Sequence, residues 1–420
     1  MTPEEKPPPQ RWWILALLFA AMTINILDRQ VLSLVAPVLR DELGLSNTQY
    51  GSIVFSFLLG MTLGQIPVGM MMDRWGARAG FSLAVAWWSV ANMLHAGARS
   101  AAHFSILRFL LGLGECGTYS AGVKVIGQYF PPSERALAAG LFNSGSLAGA
   151  IIAPPLIVFL TLNYGWPAAF LLPSLSGILW LVPWLKLYRP AGGRGAGGGS
   201  LGKQSDRPGR ACGTSLGGLA RRAPVWGVIL MRAFGGPVTH FYWYWLPEYL
   251  RRERGMSLEM IGWLAWLPFF SGGLGNIGGG WFSSRLIARG WTVNRARKTA
   301  FRIAVALSLA AALAPWAPDA GTALALICLA SLGINALAAN LMGLLTDLFP
   351  ERVLARVSGM TGVGDGAVSM TMMQLTGVVV DRFSYLPVFV AAGAFPLAAL
   401  ASLELLVGEV RRLDLGSLPD

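Results

Sequence analysis

The chain has 420 residues, of which 54% are hydrophobic and only 13% are charged, and its mean hydropathy is +0.54. A soluble globular protein carries about 25% charged residues, so this composition excludes an ordinary soluble domain and indicates a protein that crosses a membrane several times. The net charge of +12 would suggest a nucleic-acid partner in a soluble protein. Here the basic residues cluster between apolar segments, as in the cytoplasmic loops of membrane proteins, so no nucleic-acid partner is expected.

Twelve apolar runs are predicted to be transmembrane helices. A spanning helix needs about 20 apolar residues, so 420 residues accommodate twelve spans and one longer loop. The predicted helices cover residues 12–35, 50–72, 80–98, 104–125, 136–162, 167–187, 224–249, 258–281, 299–317, 321–346, 357–380 and 386–408. The segment 189–222 is rich in Gly and basic residues and has no hydrophobic period, which predicts a flexible linker. The predicted domains are therefore 1–188 and 223–420, joined by this linker.

Most basic residues outside the predicted helices fall on one side of the membrane. The positive-inside rule makes that side cytoplasmic, together with both chain termini, in a multi-pass protein of the inner (plasma) membrane. One segment, Arg251-Arg252-Glu253-Arg254, lies on the opposite side and departs from the rule. The first ten residues, MTPEEKPPPQ, have no basic region and no cleavage site of small residues, so no removable signal peptide is expected.

Two short motifs occur once in each half of the chain. The segment Gly69-Met-Met-Met-Asp73-Arg74, after the second predicted helix, is similar to Gly280-Trp-Phe-Ser-Ser284-Arg285 after the eighth. The segment Phe130-Pro-Pro-Ser-Glu134-Arg135, before the fifth helix, is similar to Phe349-Pro-Glu351-Arg352 before the eleventh. Two six-helix halves on a common plan are a known transporter design with the site between them. The predicted fold is therefore an all-α membrane protein of twelve helices in two pseudo-symmetric halves.

These residues resemble those of a known family. The segment from Gly69 to Arg78 is similar to the loop signature of the major facilitator superfamily, of which it lacks one basic residue. Three further segments resemble the anion:cation symporter branch, namely Asn25-Ile-Leu-Asp28-Arg29, Arg108-Phe-Leu-Leu-Gly112-Leu-Gly114-Glu115 and Phe142-Asn143-Ser144-Gly145. The segment Trp245-Leu-Pro247-Glu-Tyr249-Leu resembles the hexuronate and sugar-acid transporters within that branch.

The resemblance implies an inward, proton-driven symporter of organic anions that works by rocking of the two halves. It also implies that Asp28 and Glu115 are the protonatable pair, that Arg29 binds the substrate carboxylate, and that Arg108 links the substrate and proton sites. Three positions depart from the sugar-acid transporters, because Ile26, Met61 and Ser146 replace two Tyr and one Gln. These departures favour a more apolar carboxylate than a sugar acid with many hydroxyl groups.

The chemistry of the same residues supports a functional site. An ionisable group inside a bilayer costs about 3 kcal/mol or more, so its default interpretation is functional. Arg108 and Glu115 are seven residues apart, which places them about 10 Å apart on one helix face. A substrate anion that binds Arg29 or Arg108 competes with a carboxylate for that arginine, which would couple anion and proton binding. The alternative is that these charges form salt bridges that only hold helices together.

Other polar residues in the predicted spans are candidates for weaker roles. Asp365 is an unpaired acid flanked by Gly and would serve a cation or substrate, or lie at a helix end or in a water-lined position. For the remaining residues the alternatives are packing, helix bridging or a plain topology signal. The candidate substrate-binding residues besides Arg29 are Asn25, Asn143, Ser146, His240, Tyr244 and Asn335, and the candidate gating residues, expected to bridge the halves on the cytoplasmic side, are Asp73, Arg74, Arg78, Glu134 and Arg135.

The sequence favours a transporter over an enzyme. An enzyme would need a nucleophile–base pair or a metal cluster, but His95, His103 and His240 are the only histidines and are scattered along the sequence. No enzyme activity, cofactor or metal is therefore expected, and the chain is predicted to act as a monomer in the lipid bilayer. The leading prediction is a proton-coupled symporter of an organic carboxylate such as a hexuronate or another monocarboxylate. The alternative is a sodium-coupled symporter or an anion exchanger for a more apolar carboxylate.

Overall fold

The structure is a computed structural model that describes residues 10–189 and 216–413. The first described segment contains six α-helices and the second contains nine, together with a π-helical turn at Leu403–Val407. The helices are α1 (Arg11–Leu43), α2 (Asn47–Leu94), α3 (Ala101–Glu115), α4 (Gly117–Tyr129), α5 (Pro132–Tyr164), α6 (Trp166–Leu187), α7 (Leu216–Ala220), α8 (Ala223–Arg252), α9 (Leu258–Leu264), α10 (Leu267–Ala288), α11 (Val293–Ser308), α12 (Ala310–Leu313), α13 (Ala320–Leu348), α14 (Glu351–Arg382) and α15 (Leu386–Ser402).

These helices form the twelve predicted spans. Helix α2 contains the second and third spans, because Gly76 adopts φ +76° and interrupts the helix inside the motif that was predicted as a loop. The pairs α3/α4, α9/α10 and α11/α12 each continue one another across a break of one or two residues. Within the described residues, seven helical segments are by themselves long and apolar enough to cross a membrane. The predicted linker falls mostly on residues 190–215, which lie outside the described residues, and the domain boundaries stay a prediction.

Polar side chains fix where several helices begin. Helix α2 starts with a capping box, in which Ser46 accepts from the Gln49 backbone N–H and Gln49 accepts from the Ser46 backbone N–H. Helix α13 is capped by Asp319, whose carboxylate accepts hydrogen bonds from the backbone and side chain of Thr322. These bonds lower the pKa of the Asp319 carboxyl below its usual value. Such caps satisfy N–H groups that have no partner inside the helix.

The spans pack as two halves. In the amino-terminal half α2 packs on α3, and α1 packs on α5 and α6; in the carboxy-terminal half α10 packs on α13, and α8 packs on α14 and α15. The halves meet where α1 contacts α8, α2 contacts α14 and α5 contacts α9. We call the end where α1 begins and α6 ends the inner end, in keeping with the predicted orientation, and the opposite end the outer end.

Candidate functional site

A large cavity lies between the two halves. One part has a volume of about 420 Å³ and is lined by Arg29 and Met61 from the amino-terminal half and by His240 and Asp365 from the carboxy-terminal half. A neighbouring part of about 630 Å³ shares Arg29 and Met61 and is lined otherwise by the amino-terminal half. Cavities between the repeats of a transporter are where substrates bind.

Arg29 is the cation at the junction of the two parts. Its Nη2 lies 2.9 Å from Glu115 Oε2, its Nε donates to the same oxygen at 3.0 Å, and its Nη2 also donates to Asn25 Oδ1 at 3.3 Å. The Arg29 side chain is 19% exposed, whereas that of Glu115 is 0% exposed. The arginine therefore faces the cavity, and the acid supports it from behind. The short break between α3 and α4 falls directly after Glu115, at Cys116.

Asp28 does not line the cavity parts described above. It is fully buried, and its Oδ1 accepts a 2.9 Å hydrogen bond from Asn92 Nδ2, which also donates to Ser174 Oγ at 3.0 Å. The other carboxylate oxygen, Oδ2, has no hydrogen-bond partner in the described chain. Asp28 and Arg29 are adjacent in sequence but point to different surroundings, as expected for neighbours on a helix. Asn92 was not identified from the sequence, in which it is an ordinary polar residue of an apolar helix.

Arg108 lies near both buried acids, Asp28 and Glu115. It is fully buried, its Nη1 donates to the Arg29 carbonyl oxygen at 3.3 Å, and its Nε and Nη2 have no partner among the described residues. Phe57 lies close to both arginines, with its ring centroid 5.4 Å from Arg29 Cζ and 5.7 Å from Arg108 Cζ, which is within cation–π range. Arg108 thus carries unused donor groups near the two buried acids.

The carboxy-terminal wall of the cavity carries its own charged pair. Arg232 Nε donates to Asp365 Oδ2 at 3.3 Å, and Ser369 Oγ donates to Asp365 Oδ1 at 3.0 Å. His240 uses its Nδ1 to donate to the Gly236 carbonyl at 2.9 Å and stacks near Tyr244 with ring centroids 6.3 Å apart. Asp365 is therefore paired, where the sequence left it without a partner. Arg232 was not identified from the sequence, although a charge in the middle of helix α8 was a signal that could have found it.

The remaining predicted substrate residues line two neighbouring parts of the cavity. Asn25 lines the larger cavity part together with Asn143 and Ser146. Asn143 and Ser146 also line a third part of about 190 Å³, which contains Asn335 of the opposite half. Ile26 lines the larger part and Met61 both of the first two, so all three departures from the sugar-acid transporters are on the cavity wall. Among the described residues no group of three His, Cys, Asp or Glu side chains could hold a metal ion.

The predicted gating residues lie at the inner end. Arg78 Nη2 donates to the Leu185 carbonyl at 2.7 Å, and Glu134 accepts from Arg11 at 3.1 Å. Arg135 donates to the Phe130 and Gly127 carbonyls at 3.0 and 2.9 Å. These contacts all lie within the amino-terminal half. Arg74 is exposed, and the side chain of Asp73 lies outside what the structure describes.

A different set of contacts joins the halves at the outer end. Arg40 of α1 forms an ion pair with Glu248 of α8, and Asp41 forms one with Arg252. Asp381 at the end of α14 accepts four hydrogen bonds from Asn47 and Thr48. Its Oδ2 lies 2.6 Å from both Thr48 N and Thr48 Oγ1. We call these pairs the outer contacts. They account for Arg252 within the basic segment that departs from the positive-inside rule.

This arrangement defines a class of protein, a polytopic membrane transporter with a charged cavity between two helical halves. The profile of the Major Facilitator Superfamily matches residues 18–293, which is more than half of the chain. The chain belongs to the Major Facilitator Superfamily. Membership confirms the predicted fold class, the multi-pass membrane location and the prediction that the chain is a transporter and not an enzyme.

Several named transporters are similar in sequence to this chain over nearly its full length. The chain is 27% identical over 396 residues to the Hexuronate transporter of Escherichia coli (strain K12), covering 92% of this chain and 91% of the relative. It is 26% identical over 422 residues to the D-galactonate transporter of Escherichia coli O6:H1, covering 97% and 98%. It is 29% identical over 436 residues to the Probable galactarate/D-glucarate transporter of Bacillus subtilis (strain 168), covering 99% and 96%. The predicted resemblance to hexuronate and sugar-acid transporters is confirmed.

Solved structures share the fold. A bacterial homolog of the human lysosomal transporter Spinster, in an inward-facing and occupied conformation, matches with a TM-score of 0.74 at 20% identity and covers 95% of both chains. The D-xylose-proton symporter matches with a TM-score of 0.73 at 16% identity, covering 95% of this chain and 98% of that one. At such identities the likeness establishes the fold alone.

Proposed function

We propose that this protein is a proton-coupled symporter that carries an organic carboxylate across the membrane by alternating access. The observation that carries the proposal is Arg29, which faces the cavity while two of its donors are held by the buried Glu115. A guanidinium suits this role because its planar fork binds a carboxylate through two parallel hydrogen bonds and stays charged.

Coupling follows from competition for Arg29. A substrate carboxylate that binds Arg29 takes donors from Glu115, which then lies buried without its cation. A buried carboxylate without a partner favours its neutral form, so substrate binding and proton binding support each other. Asp28 serves as the second proton acceptor, and Arg108, which has unused donors and interacts with both acids, links them.

The substrate is proposed from the cavity wall and from the relatives. The similar proteins are named as transporters of hexuronate, D-galactonate and galactarate/D-glucarate, which supports a carboxylate as the common group. Ile26 and Met61 line the cavity and cannot accept or donate hydrogen bonds to substrate hydroxyls. We therefore propose a hexuronate or another monocarboxylate, with preference for acids that carry fewer hydroxyl groups. The second candidate is a sodium-coupled symporter or an anion exchanger for a more apolar carboxylate, and the same two side chains favour only the apolar character of that substrate.

The test is uptake by proteoliposomes that contain the purified full-length protein. Radiolabelled glucuronate, galactonate, lactate and benzoate are offered with an imposed pH gradient and no sodium. We expect accumulation that a protonophore abolishes. The Arg29→Gln variant should lose binding and transport of every acid, and Glu115→Gln and Asp28→Asn should lose accumulation while keeping exchange of substrate across the membrane.

The control variant is Arg302→Gln. Arg302 is also an arginine paired with an acid, Glu404, but its side chain is 61% exposed and it lies in α11, outside the cavity. Uptake restored only by sodium would replace the proton as coupling ion. Normal substrate binding by Arg29→Gln would contradict the assigned anion site.

The predicted gating role belongs to the same proposal. Arg78, Glu134 and Arg135 make contacts within their own half in this structure, in which the outer end is closed. We propose that they bridge the halves, together with Asp73 and Arg74, when the inner end closes. The predicted orientation, with both termini cytoplasmic in the inner membrane, and the monomeric state are likewise parts of this proposal.

A further inference from the structure

The second charged pair of the cavity has the same plan as the first. Arg29 and Glu115 belong to the amino-terminal wall, and Arg232 and Asp365 belong to the carboxy-terminal wall of the same cavity part, which has a volume of about 420 Å³. In each pair an arginine that is partly exposed is held by an acid. The pairs differ in strength, because the Arg232–Asp365 contact is 3.3 Å and uses Nε alone, whereas charge-assisted bonds are typically about 2.7–2.9 Å.

Arg232 has hydrogen-bond donors that are not used by Asp365. Its side chain is 32% exposed, and within the described chain its two Nη groups have no hydrogen-bond partner. Asp365 is held at its other oxygen by Ser369 and lies against Gly236 of α8, at a place where a Cβ atom would occupy the carboxylate's position. Because Gly236 has no side chain, the acid from α14 can reach this position beside α8, and the guanidinium fork of Arg232 is left open to the cavity.

The two arginines lie at different depths. Tyr244 is close to the level of Arg29, since both contact Phe57, with ring centroids 6.2 Å apart for Tyr244 and Phe57. The Arg232–Asp365 pair is at the level of Gly236, eight residues earlier in α8, which corresponds to about 12 Å of helix. This is the separation along the helix axis only, so with a hydrogen bond of about 3 Å at each end a gap of at least about 6 Å remains. An extended six-carbon diacid is about as long as this gap, and a single carboxylate cannot reach both arginines.

We propose that Arg232 is a second carboxylate subsite, which binds the far end of a six-carbon diacid whose first carboxylate is held by Arg29. This inference rests on the proposed function, because it uses Arg29 as the first anion site, and it changes the preferred substrate from a monocarboxylate to a diacid. The incoming carboxylate binds the open Nη groups of Arg232 and competes with Asp365 for this cation. Leu58 and Trp243 line the same cavity part and carry no charge, so the two arginines select a substrate by the charges at its ends.

The experiment uses two matched pairs of acids, galactarate with galactonate and adipate with 6-hydroxyhexanoate. The members of each pair differ only in whether the far end is a carboxylate or a CH2OH group. Dissociation constants are measured by isothermal titration calorimetry on the purified full-length protein. We expect the wild type to bind each diacid at least about fivefold more tightly than its partner, and Arg232→Gln to lose about tenfold in diacid affinity with less than a twofold change for the monoacids. Arg302→Gln, the control, should change neither.

A double-mutant cycle tests the competition with Asp365. Asp365→Asn removes the competing acid, so diacid affinity should rise severalfold when Arg232 is present and should not change in the Arg232→Gln background. Thermal unfolding of each variant checks that the fold is retained, and Arg232→Lys, which keeps the charge without the fork, should retain part of the diacid preference.

The outcomes separate this inference from the proposed function. Equal affinity of the wild type for both members of each pair would overturn the subsite and leave the proposed function intact. An equal loss of diacid and monoacid affinity in Arg232→Gln would also overturn it. If the wild type bound none of the four acids, both the subsite and the proposed carboxylate specificity would be wrong.

Discussion

The two ends of the helical bundle use their charges in opposite ways. At the outer end, Arg40 pairs with Glu248 and Asp41 with Arg252, so each ion pair joins one half to the other. At the inner end, Arg11 pairs with Glu134 in the same half. The closed end is therefore held by charges shared between halves, whereas the charges named at the inner end leave the halves free to separate.

The outer contacts differ among themselves in burial. Glu248 is 0% and Arg40 is 10% exposed, whereas Arg252 and Asp41 are 44% and 56% exposed. Removing one partner of a buried ion pair is costly because the other charge is left without compensation, whereas exposed pairs contribute little. The close approach of α2 and α14 adds to the closure, because a Cβ atom on Gly51 would lie only 2.8 Å from the Met373 carbonyl oxygen. The effect of a substitution on closure of the outer end should therefore be larger, the more buried the contact that it removes.

The largest effect is expected for Glu248→Gln. The neutral side chain leaves Arg40 buried without its acid when the outer end is closed, at a cost of about 3–5 kcal/mol. The equilibrium between closed and open outer ends should shift toward open by at least about a hundredfold. This shift is measured as the distance between two spin labels at the outer end. The labels are attached to cysteines that replace the exposed Asn163 and Pro318, in a background without the native cysteines.

A second label pair at the inner end, at the exposed Lys186 and Arg289, completes this measurement. The outer distance should lengthen in Glu248→Gln while the inner distance shortens. Lengthening at the outer end without a change at the inner end would contradict this account, because it would mean that opening of one end is not coupled to closing of the other.

An intermediate effect is expected for Asp381→Ala. The Asp381 carboxylate accepts from the first two backbone N–H groups of α2, at Asn47 and Thr48, and so caps this helix from the opposite half, where an anion is also favoured by the helix dipole. Loss of a cap costs about 1–2 kcal/mol, which corresponds to about a tenfold shift toward an open outer end in the same distance measurement.

Ser46→Ala is the matched control for this prediction. Ser46 caps the same helix but belongs to the same half as α2, so its loss should lower the melting temperature without changing the balance of the two ends. An equal shift of the spin-label distances in Ser46→Ala would show that α2 capping acts through helix stability and not through contact between the halves.

The sequence predicted the spans well because each is specified locally by some 20 apolar residues. It also placed Arg29 and Glu115 on the cavity, because a charge inside a bilayer is informative wherever it occurs. It did not predict the outer contacts, since Arg40 and Glu248 lie near the ends of helices, where charges are ordinary, and meet only when the halves close. The surroundings of Asp28 could not be predicted either, because its partner Asn92, and Ser174 to which Asn92 also donates, come from two other helices.

A smaller effect, which depends on the background, is expected for Arg78→Gln. In this structure Arg78 donates to the Leu185 carbonyl at 2.7 Å within its own half, so the substitution should leave the distances of the wild type unchanged. In the Glu248→Gln background, in which the inner end is expected to close, loss of a bridging charge should return part of the population to an open inner end. If the substitution had no effect in either background, Arg78 would not take part in gating.

The smallest effect is expected for Asp41→Asn. Its ion pair with Arg252 is largely exposed, at 56% and 44%, and exposed pairs contribute about 1 kcal/mol or less. Because Arg252 keeps Glu248 as a partner at 3.1 Å, the outer end should open by less than about fivefold. High salt screens exposed charges, so raising the ionic strength should reduce this small difference between Asp41→Asn and the wild type but leave most of the effect of Glu248→Gln. A large, salt-resistant effect of Asp41→Asn would mean that burial does not rank the outer contacts, and that they act as one network in which each charge depends on the others.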